Sequence, residues 1–472
     1  MVFSSLLFLY IFFPLCMLLY FLRGSIQWRN GVLIVMSLLF YAWGEPLYIL
    51  LILATALLNH HLAIQIEQSG KNKKKRRLAF LAVALNLGFL GFFKYTGFFV
   101  ETLNLIPWIK LPVPDIAMPI GISFYTFQIL SYVIDVYRGQ GRAQRDFMRT
   151  LLFLTLFHQL MAGPIIRYEH VAAELAERRT SARQVWAGIE RFAAGLAKKA
   201  LLANTCGELA DQLLNPEAFG SLSVLGAWLG ILLFALQIYF DFSAYSDMAI
   251  AMGKMVGLHY HENFDYPYLS GSVTEFWRRW HMSLGSFFRD YVYIPLGGNR
   301  RHPLRNLLLV WALTGLWHGA SWNFVVWGLY YFVFIAFEKH VLARLKRKPP
   351  AALMHIYTLL AVVFGWVLFY YTNIAEAFGL FGKLFGITAV SAVTPEAALT
   401  LQNNVFFLIL ALIACLPVTK LLRLLEYRLS MRGKWESRGV FALKYALVLL
   451  LLLLSTAQLA GNSFNPFIYF RF

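Results

Sequence analysis

Residues 222–252 read LSVLGAWLGILLFALQIYFDFSAYSDMAIAM. No charged side chain precedes Asp241 in this stretch. About 20 apolar residues in a helix, at about 1.5 Å each, cross a hydrocarbon core of about 30 Å. The stretch therefore reads as a membrane-spanning helix. Gln237, Asp241 and Tyr245 recur every fourth residue and so share one helical face. A carboxylate at membrane depth is costly unless it is paired or faces water, which makes Asp241 a candidate tunnel-lining group together with Gln237 and Tyr245. The plainer reading of Asp241, and of Asp247 further on, is an acid satisfied by a neighbouring Arg or by a broken helix end.

Runs of the same kind recur along the chain, at 2–22, 31–43, 46–65, 79–99, 117–136, 149–166, 305–337, 353–372, 404–424 and 440–460. With 222–252 they predict an all-α polytopic bundle of about 11 spans, in one membrane domain over 1–472. Of the 472 residues 59% are hydrophobic and only 14% charged, against about 25% charged in soluble domains. A net charge of +18 would point to nucleic acid in a soluble protein. Here the basic residues cluster between apolar runs, which is topology instead: basic loops are retained in the cytoplasm. KNKKKRR at 71–77 and RLKRK at 344–348 mark two such loops. Arg23 and Arg29 after the first run place the N-terminus outside, and WGEP at 43–46 makes a tight hairpin. The opening run has neither a basic leader nor a small-residue cleavage site, so it reads as a retained span. Cys16, Cys206 and Cys415 lack any paired spacing, so no disulfide framework and no metal site is expected.

Two segments, 184–212 and 263–300, are apolar but interrupted by charge. Such backbone is tolerated at membrane depth only when protein or a water-filled cavity surrounds it, so both point to a central cavity. No internal repeat of the transporter kind is visible. Within 263–300, Glu275 precedes Arg279 by four residues, the favoured order for a helical ion pair. Arg278 and Arg279 beside Trp277 and His281 form an anion-binding rim or an interfacial aromatic and basic belt. LGGNRR at 296–301 is a turn whose Arg300 and Arg301 extend that basic rim, although Gly-Gly-Asn alone is a weak phosphate signal.

GLWHGASWN at 315–323 is the most chemical stretch. A lone histidine on an apolar face is commonly a satisfied core residue. His318, however, has Gly315 three residues before it and Gly319 after it, which permit close approach of backbone or ligand. Trp311, Thr314 and Trp322 are expected to share its face and wall an aromatic pocket, in which burial would keep the imidazole neutral, as a general base requires. Trp317 and Asn323 flank it as tunnel-lining candidates.

The sequence resembles the membrane-bound O-acyltransferases, and within them the bacterial branch of alginate O-acetyltransferases and teichoic-acid D-alanyl transferases. The likeness runs through MVFSS at 1–5, FKY at 93–95, PIGISFY at 119–125, IDVYRG at 134–139, His158 with AGPI at 162–165, YFDFSAYSD at 239–247, EFWRRWH at 275–281, LGGNR at 296–300 and GLWHG at 315–319. It covers most of residues 1–340. Beyond these, 341–472 offers only spans and the tail NPFIYF at 465–470. The resemblance implies that His318 is the essential histidine and His281 a second one in a tunnel through the bundle. The donor, acetyl-CoA with its phosphates near Arg278, Arg279, Arg300 or Arg301, would enter from the cytoplasm and the acceptor from the other side, with no cofactor permanently bound. It further implies acetyl transfer to hydroxyls of an exported exopolysaccharide such as alginate, directly or through a periplasmic or extracellular partner protein, in the inner membrane of a bacterium. Membrane lipid would surround the protein, and nucleic acid is not expected. From the residues alone, intramembrane Asp, His and Arg also fit a polysaccharide or lipid-linked sugar transporter or flippase, or a non-catalytic scaffold of a secretion complex.

Overall fold

The computed structural model describes residues 1–466 apart from Lys71, Ala162, Pro216, Lys348, 431–433 and Ser463. Lys71 and Lys348 of the basic loops, Ala162 of the AGPI motif and Phe467 to Phe470 of the tail thus lie outside the described residues. Among the described residues every regular element is helical, as lipid demands, because a helix satisfies its own backbone.

Among the described residues six helices are long and apolar enough to cross a membrane: Ile49–Gln68, Asn72–Leu103, Val224–Met255, Trp322–Arg344, Ala351–Tyr370 and Arg438–Gly461. A pair bent by 60°, Pro395–Asn403 and Val405–Ala414, would make a seventh. Several apolar runs are interrupted for local reasons. The run 149–166 leaves helical geometry at Leu156, between Phe147–Thr155 and the single turn Phe157–Leu160. The run 404–424 divides at Pro417, which cannot continue the preceding helix. The run 305–337 is not one span but a hairpin of Pro303–His318 and Trp322–His340, with extended backbone at Gly319 and Ser321.

Backbone contacts group the chain into two compact units. One comprises Met1–Phe192, Ser246–Glu262 and Ser286–Tyr291. Several of its polar groups are matched to one another. Arg178 donates to Tyr20 Oη at 3.0 Å, the Val256 carbonyl at 3.1 Å and Asn30 Oδ1 at 2.6 Å. Arg191 pairs with Asp247 at 2.7 Å and with Glu262 at 2.5 Å, so Asp247 follows the plainer of its two readings. His158, from the family-like motifs, meets Tyr260 Oη through Nδ1 at 3.0 Å.

The other unit comprises Ala193–Tyr245, Asn263–Gly285 and the chain from Val292 onward, and it holds the candidate site. The two helices of its hairpin touch backbone to backbone. A Cβ on Gly328 would lie 3.2 Å from the Trp311 carbonyl carbon and 3.3 Å from the Gly315 Cα. On Gly319 it would overlap the Phe324 ring. Small residues let membrane helices approach this closely, and dispersion contacts then hold them. Replacing Gly328 by Leu should separate the pair, at a cost of about 1–3 kcal/mol or more for overpacking. The melting temperature of the detergent-solubilised protein should fall by several degrees; an unchanged melting curve would refute this account of the hairpin.

Candidate functional site

His318 is the last residue of Pro303–His318, where the hairpin turns. It is 7% exposed. Three rings enclose its imidazole: Trp327 at 5.0 Å, Trp317 at 5.1 Å and Phe369 at 5.4 Å between centroids. The aromatic enclosure is therefore present but built differently from the sequence expectation. Because the helix ends at His318, Trp322 belongs to the next helix and is 49% exposed. The Thr314 hydroxyl donates back to the Val310 carbonyl of its own helix. Phe369 comes from Ala351–Tyr370, which no local pattern could have linked to His318.

His281 lies in a tight turn between Val273–Arg279 and Met282–Phe288. Its φ of 45° is in the left-handed region, uncommon for a residue with a Cβ and enriched at functional sites. The helix before it is firmly started: Ser272 accepts from the Glu275 N–H at 3.0 Å, and Glu275 accepts in return from Gly271 N–H at 2.9 Å. Glu338, which the sequence reading did not single out, also accepts the N–H groups of Val273 and Thr274 at 2.6 and 2.8 Å. The expected Glu275–Arg279 pair forms at 2.7 Å. The helix stops at Arg279, so Trp277 and His281 do not share a helical face. Trp277 packs instead against Trp311, Trp327 and Tyr331.

His281 is 1% exposed. Phe242 meets its ring edge-on at 4.6 Å, and Trp317 lies 5.8 Å away. Trp317 thus contacts both histidines, which is how residues far apart in sequence come to share one indole. Burial first, and the neighbouring His318 second, hold the His281 imidazole well below the ordinary histidine range, so it is neutral.

The stripe of Val224–Met255 is buried, with Gln237 2%, Asp241 1% and Tyr245 1% exposed. Gln237 occupies space left by Gly207, where a Cβ would overlap its amide. Asp241 is ion-paired with Lys199 at 2.8 Å. Lys199, absent from the sequence candidates, sits on a π-helical turn, Lys198–Ala203, and also donates to the Pro466 carbonyl. Such bulges in a helix are frequent at functional sites. The signal for Lys199 was the charge interrupting an apolar segment. The plainer reading of Asp241 was a neighbouring arginine or a broken helix end, and a lysine is the partner it meets.

The remaining candidates are placed differently. Asn323 is a brace, its amide donating to the carbonyls of Tyr371 at 2.8 Å and Leu368 at 3.3 Å, with Ser321 Oγ donating to its Oδ1. Arg279 is engaged by Glu275 and by the Asp265 carbonyl, whereas Arg278, Arg300 and Arg301 are exposed. The turn at Gly297 and Gly298, with φ of 106° and 54°, is laced by Asn306, which donates to the carbonyls of Leu296, Gly298 and Arg301. Asn299 Oδ1 there accepts from Tyr293 and Lys339. Gly-Gly-Asn therefore braces the turn that carries the two arginines.

If the Lys199–Asp241 pair is a matched buried unit, removing one charge leaves the other uncompensated, at about 3–5 kcal/mol. Lys199→Met and Asp241→Asn should each lower the melting temperature, and the double variant should lose less than the sum of the two. Additive losses in this cycle would show that the two charges are not coupled.

The sequence has counterparts among known proteins. The model of the membrane-bound O-acyltransferase family matches residues 142–378, a stretch that contains both histidines. A protein of Pseudomonas putida named a probable alginate O-acetylase is 36% identical over 100% of both chains. A peptidoglycan O-acetyltransferase of Helicobacter pylori is 29% identical over 100% of this chain and 98% of its own. A teichoic acid D-alanyltransferase of Bacillus subtilis is 27% identical over 47% of this chain and 60% of its own.

Proposed function

Because this chain belongs to the membrane-bound O-acyltransferase family, we propose that it carries an acetyl group from cytoplasmic acetyl-CoA to hydroxyls of an exported exopolysaccharide. That it is a multi-pass membrane O-acyltransferase is the premise. The relatives named for alginate and peptidoglycan O-acetylation favour acetyl as the group and a glycan as the acceptor. The full-length likeness to the alginate-type protein favours an alginate-like polymer.

The observation that carries the mechanism is the pair of imidazoles, His318 and His281, each in ring contact with the Trp317 indole and with other aromatic rings. Both rings are buried, so a base positioned there works on the substrate hydroxyl with little competition from solvent. His318 accepts the hydroxyl proton while the oxygen attacks the thioester carbonyl. The tetrahedral intermediate then expels the coenzyme A thiolate, which takes the proton back from His318. The sum is one ester and one free thiol. General acid–base catalysis of this kind contributes about 10² to 10⁴-fold. The exposed guanidinium groups of Arg278, Arg300 and Arg301 offer a basic rim for the donor's phosphates, while Arg279 serves the fold.

In this reading the protein sits in a bacterial inner membrane with its basic loops inside and its N-terminus outside. A separate periplasmic protein receives or completes the transfer, since a long polymer needs more to grip than short loops. The test is release of free coenzyme A and acetylation of a glycan acceptor by purified protein in vesicles. His318→Ala, verified as folded, should lose about 10² to 10⁴-fold in rate. Retention of activity within a few-fold of wild type would remove His318 from the chemistry. Intact mass after donor treatment alone separates direct transfer from a covalent acyl-enzyme relay, which would add one acetyl group.

A further inference from the structure

Val418–Ser430 is a helix with the sequence VTKLLRLLEYRLS. By helical register Val418, Leu421, Leu422 and Leu429 share one face, and Thr419 and Lys420 are turned away from it. Leu421, Leu422, Leu424 and Tyr427 are exposed. In sequence the helix lies between the apolar helices Val405–Ala414 and Arg438–Gly461. It is too short and too charged to cross a bilayer. An amphipathic helix of this kind settles at the boundary between headgroups and acyl chains. Residues 418–438 carry six Lys or Arg against Glu426 and Glu436, so the boundary it meets faces a surplus of positive charge.

The contacts of this helix tell which leaflet it meets. RLKRK at 344–348 marks the cytoplasmic side. The helices before and after that loop reach one short segment: Glu338 accepts the N–H groups of Val273 and Thr274, and His355 Nδ1 lies 3.0 Å from the Ser270 carbonyl. Tight turns from Tyr266 to Ser270 join that segment to Asp265 and Tyr266. Tyr266 Oη lies 2.6 Å from Thr419 Oγ1, while Lys420 pairs with Asp265 at 2.7 Å and stands 4.9 Å over the Tyr266 ring. The amphipathic helix is therefore on the cytoplasmic side, where anionic headgroups give the leaflet a negative potential that attracts basic segments.

The segment it touches also holds the His281 turn. Asp265 N–H donates to the Arg279 carbonyl at 2.9 Å, Arg279 Nη1 donates back to the Asp265 carbonyl at 3.3 Å, and Met282 N–H donates to the Asn263 carbonyl at 3.0 Å. Asn263 Oδ1 lies 3.2 Å from His281 Nδ1. Tyr266 and His281 both adopt left-handed backbone, with φ of 48° and 45°, a conformation that persists only when its surroundings enforce it. A contact as exposed as Lys420–Asp265 is weak by itself, so whatever seats the helix decides how firmly it braces 263–266.

We propose that Val418–Ser430 is a docking surface for anionic lipid headgroups of the cytoplasmic leaflet, and that lipid seated there braces the His281 turn through Thr419 and Lys420. For its effect on rate the proposal rests on the acyl-transfer reading; for lipid binding it does not.

The test uses the full-length protein in vesicles of phosphatidylcholine alone and of phosphatidylcholine with phosphatidylglycerol in equal parts. With saturating acetyl-CoA and a glycan acceptor, coenzyme A release should be at least about fivefold faster in the anionic vesicles. That gain should fade between about 0.1 M and 1 M salt, as the screening length shortens from about 10 Å to about 3 Å. Equal rates in both vesicles would overturn the coupling. A second readout needs no turnover: native mass spectrometry counts the phosphatidylglycerol that stays with the detergent-extracted protein. The double variant Arg423→Gln, Arg428→Gln should retain fewer molecules than wild type and bring the rate ratio towards one. Retention equal to wild type would overturn the surface. So would a raised KM for acetyl-CoA with the rate ratio preserved, because the arginines would then serve the donor's phosphates. Thr419→Val with Lys420→Met should keep most of the lipid and lose the rate ratio; an unchanged ratio overturns the brace. Failure of the acyl-transfer reading itself looks different: no coenzyme A is released in any vesicle, while the difference in lipid retention stands.

Discussion

A polar atom at membrane depth has no water to turn to, and each one left unmet costs free energy comparable to a lost hydrogen bond or more. That requirement governs nearly every feature described for this chain. It keeps the described elements helical and gathers charged side chains into matched sets. Arg178 is shared among Tyr20, Asn30 and a carbonyl, and Lys199 between Asp241 and the Pro466 carbonyl. Glu338 spends its carboxylate on the first N–H groups of Val273–Arg279, a helix too short to persist unless its ends are met.

Close approach is the second consequence. Lipid gives helices no hydrophobic reason to associate, so contact area and small residues must supply it. Gly315 and Gly328 bring Pro303–His318 against Trp322–His340, and Gly319 makes room for the Phe324 ring at the turn. The turn then presents His318 to Trp327 from the second helix of the hairpin and Phe369 from the helix that follows. The rings wall the imidazole, which is 7% exposed. Packing and site are therefore not separable: the residues that close the helix pair also shape the surroundings of His318.

Much of this was legible before any tertiary contact was known. The cost of charge in lipid marks Asp241 wherever its helix packs, and the fourfold spacing places Gln237 and Tyr245 on its face. The spacing of Glu275 and Arg279 specifies their ion pair, and the glycines beside His318 announce a close approach. These are local properties, set by a 3.6-residue repeat, by a transfer free energy or by the absence of a Cβ, and a chain carries them in any context.

What the tertiary structure alone decided was which group meets which. Lys199 rather than an arginine neutralises Asp241, Phe369 rather than Trp322 walls His318, Arg279 is committed to the fold, and Asn323 ties one helix to the end of another. Asn263 meets the His281 ring from eighteen residues away. Hydrogen-bond partners and ring contacts depend on angles and distances of a few ångströms between segments that share no sequence periodicity. The sequence by itself determined an all-helical membrane protein with its polar residues on buried faces. Three-dimensional packing determined their pairing, because a buried donor or acceptor is satisfied by whichever complementary atom the fold brings within reach.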